Sequence, residues 1–230
     1  MNRDVGLEVE IFDYFIKHDD KNARKLVLDT VEALAGKVRS QLNTISPFYQ
    51  DFDIGNLPSK ADNCWVAFGP RNNKYRKWAH QTISINSQGV DIFVNIETKP
   101  ATDRLKEKIN EERQSFRKMI LDLIFDLPLT IQVEERINRQ ASLYDYYLIA
   151  RIESKYIKDP IVGLRSLEYL EYLLDKIPFP YLTMRKNIER NVILNLSEKD
   201  KGNTLVTHIV NIMQAFHPFV RFINSTDFVV

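Results

Sequence analysis

The architecture of this chain is clearest in His80-Gln-Thr-Ile-Ser-Ile-Asn-Ser-Gln-Gly-Val-Asp-Ile-Phe-Val-Asn-Ile-Glu-Thr98. Polar and apolar side chains alternate along both halves of this segment, which is typical of β-strands. Gln88-Gly89 stands between the halves, and glycine favours the tight turns that join antiparallel strands. The sequence therefore predicts a β-hairpin at about residues 80–98.

A turn centred on Gln88-Gly89 also sets which residues of the two strands lie opposite each other. Asn86 is then opposite Asp91, and His80 is opposite Glu97, on one face of the hairpin. The other face is expected to be apolar apart from one glutamine, and it contains Gln81, Ile83, Ile85, Ile92, Val94 and Ile96.

Outward from the hairpin, hydrophobic periodicity predicts further elements. Strands are expected at Cys64–Phe68, Leu129–Ile137, Leu143–Glu153, Tyr181–Arg185 and Asn191–Leu196. Helices are expected at Lys21–Leu42, Thr102–Phe125, from Pro160 to about Ile177, and at Thr204–Phe216. Residues 46–63 are rich in Pro, Gly, Asn and Asp and predict an irregular connection. The start of the chain fits either a short strand from Val5 or a helix over Glu8–Ile16.

This order of elements predicts the α+β class, since it contains a hairpin and no regular βαβ repeat. The expected architecture is a mixed or antiparallel sheet packed by four or so helices. At 230 residues the chain is within single-domain range, so we expect one domain over residues 1–230.

Charge and cysteine content limit the classes of function. There are 32 Lys+Arg against 31 Asp+Glu, without the basic excess of proteins that coat nucleic acid. The one cysteine, Cys64, excludes an intrachain disulfide and a cysteine-based zinc cluster. The most apolar stretch, Met119–Leu129, is too short and too polar to span a bilayer, and the first ten residues carry acids where a signal peptide is apolar. We expect a soluble cytoplasmic protein without membrane contact.

The segment Arg71–His80, Arg-Asn-Asn-Lys-Tyr-Arg-Lys-Trp-Ala-His, concentrates four cations, two aromatic rings and a histidine in ten residues. Cations in a loop can hold a phosphate or carboxylate, and the rings can stack on a base, so a nucleotide, nucleic acid or phosphate is the expected ligand. The predicted ligand-binding residues are Arg71, Lys74, Tyr75, Arg76, Lys77, Trp78, His80 and Glu97. The alternative is a solvated basic loop whose rings pack on the sheet.

A second interpretation starts from Glu97-Thr-Lys99 at the end of a strand, with Asp91 upstream. A PD-(D/E)xK nuclease looks like this locally: the acids hold Mg²⁺ and the lysine orients the attacking water. However, six residues of extended strand separate Asp91 from Glu97 by roughly 20 Å. This interpretation therefore needs a further acid, such as Glu8 or Glu10, or a bent strand. The anion-binding interpretation requires no cofactor, and the nuclease interpretation requires only magnesium.

Two other interpretations remain open beside anion binding and nuclease activity. His80 and Glu97, near Lys77 and Lys99, fit an acid/base or anion site, and they equally fit an ordinary cross-strand polar pair. The chain could also act only through protein–protein contacts, which would predict an exposed apolar patch on the order of several hundred Å².

Three segments carry a recognisable combination of motifs: Trp65-Val-Ala-Phe68, Lys74-Tyr-Arg-Lys77 with His80-Gln81, and Val90–Glu97. In these segments the chain resembles the YktB-like family of uncharacterised bacterial proteins. That family runs a Trp-Val-Ala-Phe strand into a Tyr-basic-basic loop, a His-Phe-Gln strand and an apolar strand ending near Glu. Here Gln81 directly follows His80, and Trp78-Ala79 replaces a step that contains proline. The resemblance implies a compact α+β fold and no established activity.

Overall fold

The computed structural model of the chain describes residues 7–18, 21–55, 61–70, 74–136, 146–158, 160–196 and 201–224. The strands in these ranges are β1 (Asp51–Ile54), β2 (Asn63–Gly69), β3 (His80–Asn86), β4 (Gly89–Ile96), β5 (Thr130–Arg136), β6 (Tyr146–Glu153) and β7 (Pro180–Glu189). The helices are α1 (Val9–Lys17), α2 (Lys21–Leu42), α3 (Lys99–Glu111), α4 (Arg113–Asp126), α5 (Ser154–Ile157), α6 (Pro160–Lys176), α7 (Arg190–Leu194) and α8 (Lys201–Asn224). A 3₁₀ helix, Lys74–Lys77, lies between β2 and β3 in the chain.

The described strands form an open sheet in the order β1-β2-β3-β4-β7-β5-β6. The pairs β1–β2, β2–β3, β5–β6 and β5–β7 are antiparallel. An antiparallel sheet with separate helices defines the α+β class, so the expected class is confirmed. No helix in the described ranges has both the length and the apolar character that a membrane crossing requires.

The chain is organised as two compact units, each assembled from several segments. Unit 1 comprises residues 1–73, 81–92 and 187–214, and unit 2 comprises residues 74–80, 93–186 and 215–230. The expectation of one domain over residues 1–230 stays a prediction.

The turn of the hairpin lies in unit 1 and is held by the chain that follows β7. The backbone N–H of Arg190 donates to the carbonyl of Gln88 at 2.8 Å. Gly89 has a φ of 143°, which only glycine adopts readily. Asn86 Nδ2 donates to Asp91 Oδ2 at 2.7 Å, as the predicted register requires. The hairpin and its turn are therefore confirmed.

Burial extends to both faces of β3. All six residues predicted for the apolar face are buried, and Gln81 Nε2 donates to the carbonyl of Met213 at 2.9 Å. The alternating residues His80, Thr82 and Ser84 are buried as well. Because successive strand residues point to opposite faces, β3 is covered on both of them.

The predicted helix Lys21–Leu42 is confirmed as α2, which packs on β1 and β2 within unit 1. Its apolar stripe, Val27, Val31, Leu34, Val38 and Leu42, is buried.

The structure corrects the prediction for residues 46–63 and decides between the two predictions for the start of the chain. The connection at residues 46–63 contains β1, which pairs with β2 and was not predicted. It is short and carries two aspartates, which strands rarely contain, so its composition indicated a loop. The described part of the first segment is the helix α1, because Ile11, Phe12, Tyr14 and Phe15 are buried at helical spacing.

The predicted helix Thr102–Phe125 is replaced by two helices that meet at Glu112. Pro100 does not end the hairpin strand; it stands in the first turn of α3, where the missing N–H has no partner to lose. Thr102 does not cap this helix but is buried, and its hydroxyl donates to the carbonyl of Pro180 at 3.2 Å.

Two more predictions near the end of the chain were wrong. Residues 191–196 were expected to be extended, yet most of them belong to α7, since a short apolar run does not distinguish helix from strand. The last helix was expected to end at Phe216, but α8 continues through Pro218 to Asn224. Phe216, Phe219, Val220 and Ile223 are all buried, and this burial offsets the roughly 3 kcal/mol that an interior proline costs.

Unit 2 contains the β5–β6 hairpin and the helices α3, α4 and α6, with α6 packed on β5. A bidentate ion pair joins α4 to α6: Arg117 Nε and Nη2 donate to the two carboxylate oxygens of Glu171 at 2.6 and 2.7 Å. The Glu171 side chain is 9% exposed and that of Arg117 is 19% exposed. The hydrogen bonds that Arg117 donates to Glu171 raise the pKa of Arg117, so the guanidinium keeps its positive charge.

We expect Glu171→Gln to lower the free energy of unfolding by about 1–3 kcal/mol, because it leaves the Arg117 guanidinium without its charged partner in a largely buried site. Urea denaturation would measure the change. Glu32→Gln is the control, since it is the same substitution at an exposed position of a helix, α2, that belongs to unit 1. Equal effects of the two substitutions would show that the ion pair does not stabilise unit 2.

Candidate anion-binding surface

The backbone between the 3₁₀ helix and β3 is fixed by the side chain of Asn224, at the end of α8. Asn224 Oδ1 accepts the N–H of Ala79 at 3.0 Å, and Asn224 Nδ2 donates to the Ala79 carbonyl at 2.8 Å. Asn224 and Ala79 are both 0% exposed. Because a buried peptide group needs both of its polar atoms paired, this amide holds the chain between Trp78 and His80 in place.

Tyr75 and His80 lie in the interior beneath this segment. Tyr75 is 3% exposed and His80 is 1% exposed, and their rings meet edge to face with centroids 4.9 Å apart. The Tyr75 carbonyl accepts the N–H of Trp78 at 2.9 Å and closes the turn. Tyr75 therefore contributes to packing here and does not present its ring on the surface.

His80 and Glu97 are neighbours, as the predicted hairpin register requires. His80 Nε2 lies 3.9 Å from Glu97 Oε1, and Nδ1 lies 3.1 Å from the carbonyl of Trp78. Since a carbonyl oxygen only accepts, Nδ1 carries the ring proton and Nε2 of the neutral ring has none to donate. Protonation of His80 would turn the contact with Glu97 into an ion pair.

Trp78 and Arg104 are half-buried and form the part of the site nearest the surface. The Arg104 guanidinium lies over the Trp78 ring, with its carbon 4.1 Å from the ring centroid. Arg104 Nη1 donates to the Lys77 carbonyl at 2.7 Å and lies 3.4 Å from the Pro100 carbonyl. These contacts hold the guanidinium flat on the indole. We call Lys77, Trp78 and Arg104 the Arg104 surface.

The cations of the Arg104 surface have no acidic partner in the described part of the chain. The Lys77 side chain is exposed, and the partners of the Arg104 guanidinium among the described residues are carbonyl oxygens and an aromatic ring. Two nearby acids are engaged elsewhere, since Asp103 pairs with Lys99 and Glu97 lies against His80, and Glu107 on α3 makes no ion pair with Arg104. Two uncompensated cations beside a fixed aromatic ring suit a phosphate or a carboxylate.

The remaining residues of the predicted basic-aromatic set are not all placed. Arg71 lies outside the described residues, and so do the side chains of Lys74 and Arg76. Of the described set, Lys77 and Trp78 lie at the surface with Arg104, whereas Tyr75 and His80 are buried.

The residues of the nuclease interpretation each have other partners. Asp91, in unit 1, is 1% exposed and accepts hydrogen bonds from Asn86 and Asn187, at 2.7 and 2.8 Å. Lys99 is exposed and pairs with Asp103 on the first turn of α3. Among the described residues, no three His, Cys, Asp or Glu side chains are grouped so that they could hold a metal ion. The geometry gives this interpretation no support, and it stays a prediction.

Two residues that build this site were missed by sequence reasoning: Arg104 and Asn224. Arg104 is one of many cations on a charged helix, and Asn224 lies 145 positions from the residue it holds. The one sequence signal that could have placed Arg104 near this site is Pro100. It marks the first turn of α3, which follows the hairpin directly.

Comparison with known proteins adds no identification. No protein-family model and no curated protein matches this chain. The resemblance to the YktB-like family stays a prediction.

Proposed function

We propose that this chain binds an anionic ligand, carrying a phosphate or a similar group, on the Arg104 surface. The observation that carries this proposal is the Arg104 guanidinium, fixed on Trp78 and without an acidic partner among the described residues. Its Nη1 is used by carbonyl oxygens, and no hydrogen bond to the rest of the described chain engages Nη2 or Nε. A planar guanidinium with unused N–H donors suits bidentate recognition of a phosphate.

Preorganisation strengthens this proposal. A free arginine loses side-chain entropy of about 2 kcal/mol when it is immobilised on a ligand. Arg104 is already held by the ring of Trp78 and the carbonyl of Lys77. The Asn224 amide in turn fixes the backbone that follows Trp78. Most of the ordering cost is therefore met by folding, so a small anion can bind with useful affinity.

We expect Arg104→Ala to weaken the binding of ATP by about 10- to 100-fold, the worth of a lost hydrogen bond to a charged group. Arg104→Lys keeps the charge but loses the planar guanidinium, so its affinity for ATP should lie between those of the wild type and Arg104→Ala. Isothermal titration calorimetry with ATP and with inorganic pyrophosphate would measure these changes.

Arg165→Ala is the matched control for this experiment. Arg165 is an exposed arginine on α6, and its removal should leave the affinity unchanged. Thermal melting would check that each variant is folded. The proposal fails if the wild type binds neither ligand, or if Arg104→Ala and Arg165→Ala have the same effect.

Protein–protein contact remains a second candidate function, because several large apolar side chains of unit 2 are exposed. They are Phe125, Leu148, Ile149, Leu164, Tyr169 and Tyr172. Analytical ultracentrifugation over a concentration series would detect self-association through such residues.

Residence in the cytoplasm belongs to the same proposal. The Cys64 thiol is buried, and burial raises its pKa to about 11, so it is kept as an unreactive thiol. A chain with one thiol of this kind needs no oxidising compartment.

A further inference from the structure

We propose that the natural ligand of the Arg104 surface is a single-stranded nucleic acid, whose backbone runs along α3 from Arg104 to Lys108. This inference rests on the proposed anion binding and names the class of ligand. Four contacts in unit 2 carry it: two cation–aromatic pairs, the Asn224 amide, and the hydrogen bond from Arg104 to Lys77.

The two cation–aromatic pairs lie one helical turn apart on α3. Arg104 lies over the ring of Trp78, and the Lys108 ammonium lies 5.4 Å from the centroid of the Phe222 ring. Residues four apart on a helix share one face and are separated by about 6 Å along its axis. Successive phosphates of an extended single strand can therefore meet successive cations.

The Asn224 amide links the end of α8 to the backbone that follows Trp78. Asn224 follows Phe222 by two residues, and it holds Ala79, which follows Trp78. The exposed Arg221 precedes Phe222 in the last turns of α8. Trp78, Arg104, Lys108 and Phe222 thus form a strip of two cation–aromatic pairs along α3. We call this the α3 strip.

Cations paired with aromatic rings suit a flexible single strand. Phosphates bind the cations, while unstacked bases stack on aromatic rings or on guanidinium planes. Arg104 meets both needs, because one face of its guanidinium lies on Trp78 and the opposite face can take a base. A lone phosphate or carboxylate would leave this stacking surface unused.

The acids of α3 define which side of the helix the strand can follow. Lys108 pairs with Glu112, but an ammonium has three N–H donors and keeps others for a phosphate. Glu107 is exposed, and no residue in the described ranges pairs with it. A phosphate near Glu107 would be repelled, so the backbone is expected to pass on the Lys108 side.

His217 does not add to the charge of the α3 strip at neutral pH. Burial, and then the positive charge of Arg221, lower the pKa of His217 below its ordinary value. The affinity should therefore depend on salt far more than on pH between neutral and alkaline conditions.

The test uses fluorescence anisotropy of the full chain with labelled deoxythymidine and uridine oligomers of about four and about twelve nucleotides, compared with ATP. We expect the affinity to rise at least about 10-fold from ATP to the longer oligomers. The logarithm of the affinity should fall with the logarithm of salt concentration with a slope of about −2, since each of three phosphate contacts adds about −0.7.

Lys108 separates this inference from the proposed function. Lys108→Ala should weaken the binding of the longer oligomers about 3- to 10-fold and reduce the salt slope by about 0.7, and its effect on ATP binding should be smaller. Lys108→Arg should restore the binding. Lys118→Ala is the control for loss of a lysine from an i,i+4 pair, because Lys118 pairs with Asp122 on α4 as Lys108 does with Glu112. The Lys118 side chain is 72% exposed and that of Lys108 is 16% exposed. Glu107→Gln should bind the oligomers more tightly than the wild type.

The outcomes are distinct. If ATP binds through Arg104 but oligomers bind no more tightly, the single-strand inference is overturned and the proposed function stands. Tighter binding of a duplex, or equal effects of Lys108→Ala and Lys118→Ala, also overturns the inference. If neither ATP nor any oligomer binds, both proposals fail.

Discussion

Replacing Gly89 with alanine is expected to lower the free energy of unfolding by about 3 kcal/mol or more. Gly89 has a φ of 143°, where a side chain strains the backbone. A Cβ atom there would lie 2.2 Å from the carbonyl oxygen of Ile188 and 2.9 Å from the nitrogen of Arg190. Both are backbone atoms that cannot rotate away. The turn would have to move off the chain after β7, which breaks the hydrogen bond from Arg190 to Gln88.

Gly36→Ala is the matched control, because it makes the same chemical change in the middle of α2. No atom would lie within 4 Å of a Cβ at Gly36, so the substitution should raise the free energy of unfolding by about 0.5–1 kcal/mol. Both denaturant titration and thermal melting should show a loss of stability for Gly89→Ala and a gain for Gly36→Ala. The expected fall in Tm for Gly89→Ala is about 6–12 °C. A Gly89→Ala protein within about 1 kcal/mol of the wild type would contradict the turn geometry.

The hairpin could be predicted from sequence because its determinants are local. Gln88-Gly89 selects the turn, and the alternating pattern fixes the register once the turn is placed. This register was enough to bring His80 to Glu97, and the two are neighbours in the structure. The helix α2 was predictable for the same reason, since its buried stripe is read directly from the spacing of its apolar residues.

The elements that sequence patterns missed depend on contacts with distant parts of the chain. β1 exists because β2 offers it a partner strand, and its own sequence, Asp-Phe-Asp-Ile, is not typical of a strand. α8 continues past Pro218 because Phe219, Val220 and Ile223 are buried beyond it. Local propensity alone ends the helix before the proline.

The candidate site was predicted only in part. The cations and rings of the segment 71–80 could be counted, but not which of them face solvent. Tyr75 packs on His80 in the interior, whereas the half-buried Trp78 is stacked by Arg104, which comes from a helix more than twenty residues later. Composition drew attention to this segment, and only the tertiary structure shows that Arg104 has no acidic partner among the described residues.

Asn224 is the residue on which both the stability of unit 2 and the Arg104 surface depend. Asn224→Ala removes the two hydrogen bonds to Ala79 and leaves a buried N–H and a buried carbonyl unpaired. At about 1–3 kcal/mol for each unpaired group, we expect a loss of about 2–5 kcal/mol in the free energy of unfolding. Since the amide also holds the backbone after Trp78, the affinity for ATP should fall under conditions where the variant is still folded.

Two further substitutions at Asn224 separate hydrogen bonding from packing. Asn224→Leu fills a similar volume but pairs with neither group of Ala79, so it should destabilise the protein about as much as alanine does. Asn224→Asp retains the acceptor for the Ala79 N–H and loses the donor to the carbonyl. A buried carboxylate facing a carbonyl is disfavoured, whereas its protonated form can donate, so the folded state binds this proton more tightly than the unfolded state. The deficit of Asn224→Asp relative to the wild type should therefore shrink as the pH falls toward 4, which urea denaturation at several pH values would measure. If leucine is tolerated, or the aspartate variant weakens as the pH falls, the amide is not what holds Ala79, and the preorganisation of Arg104 must have another source.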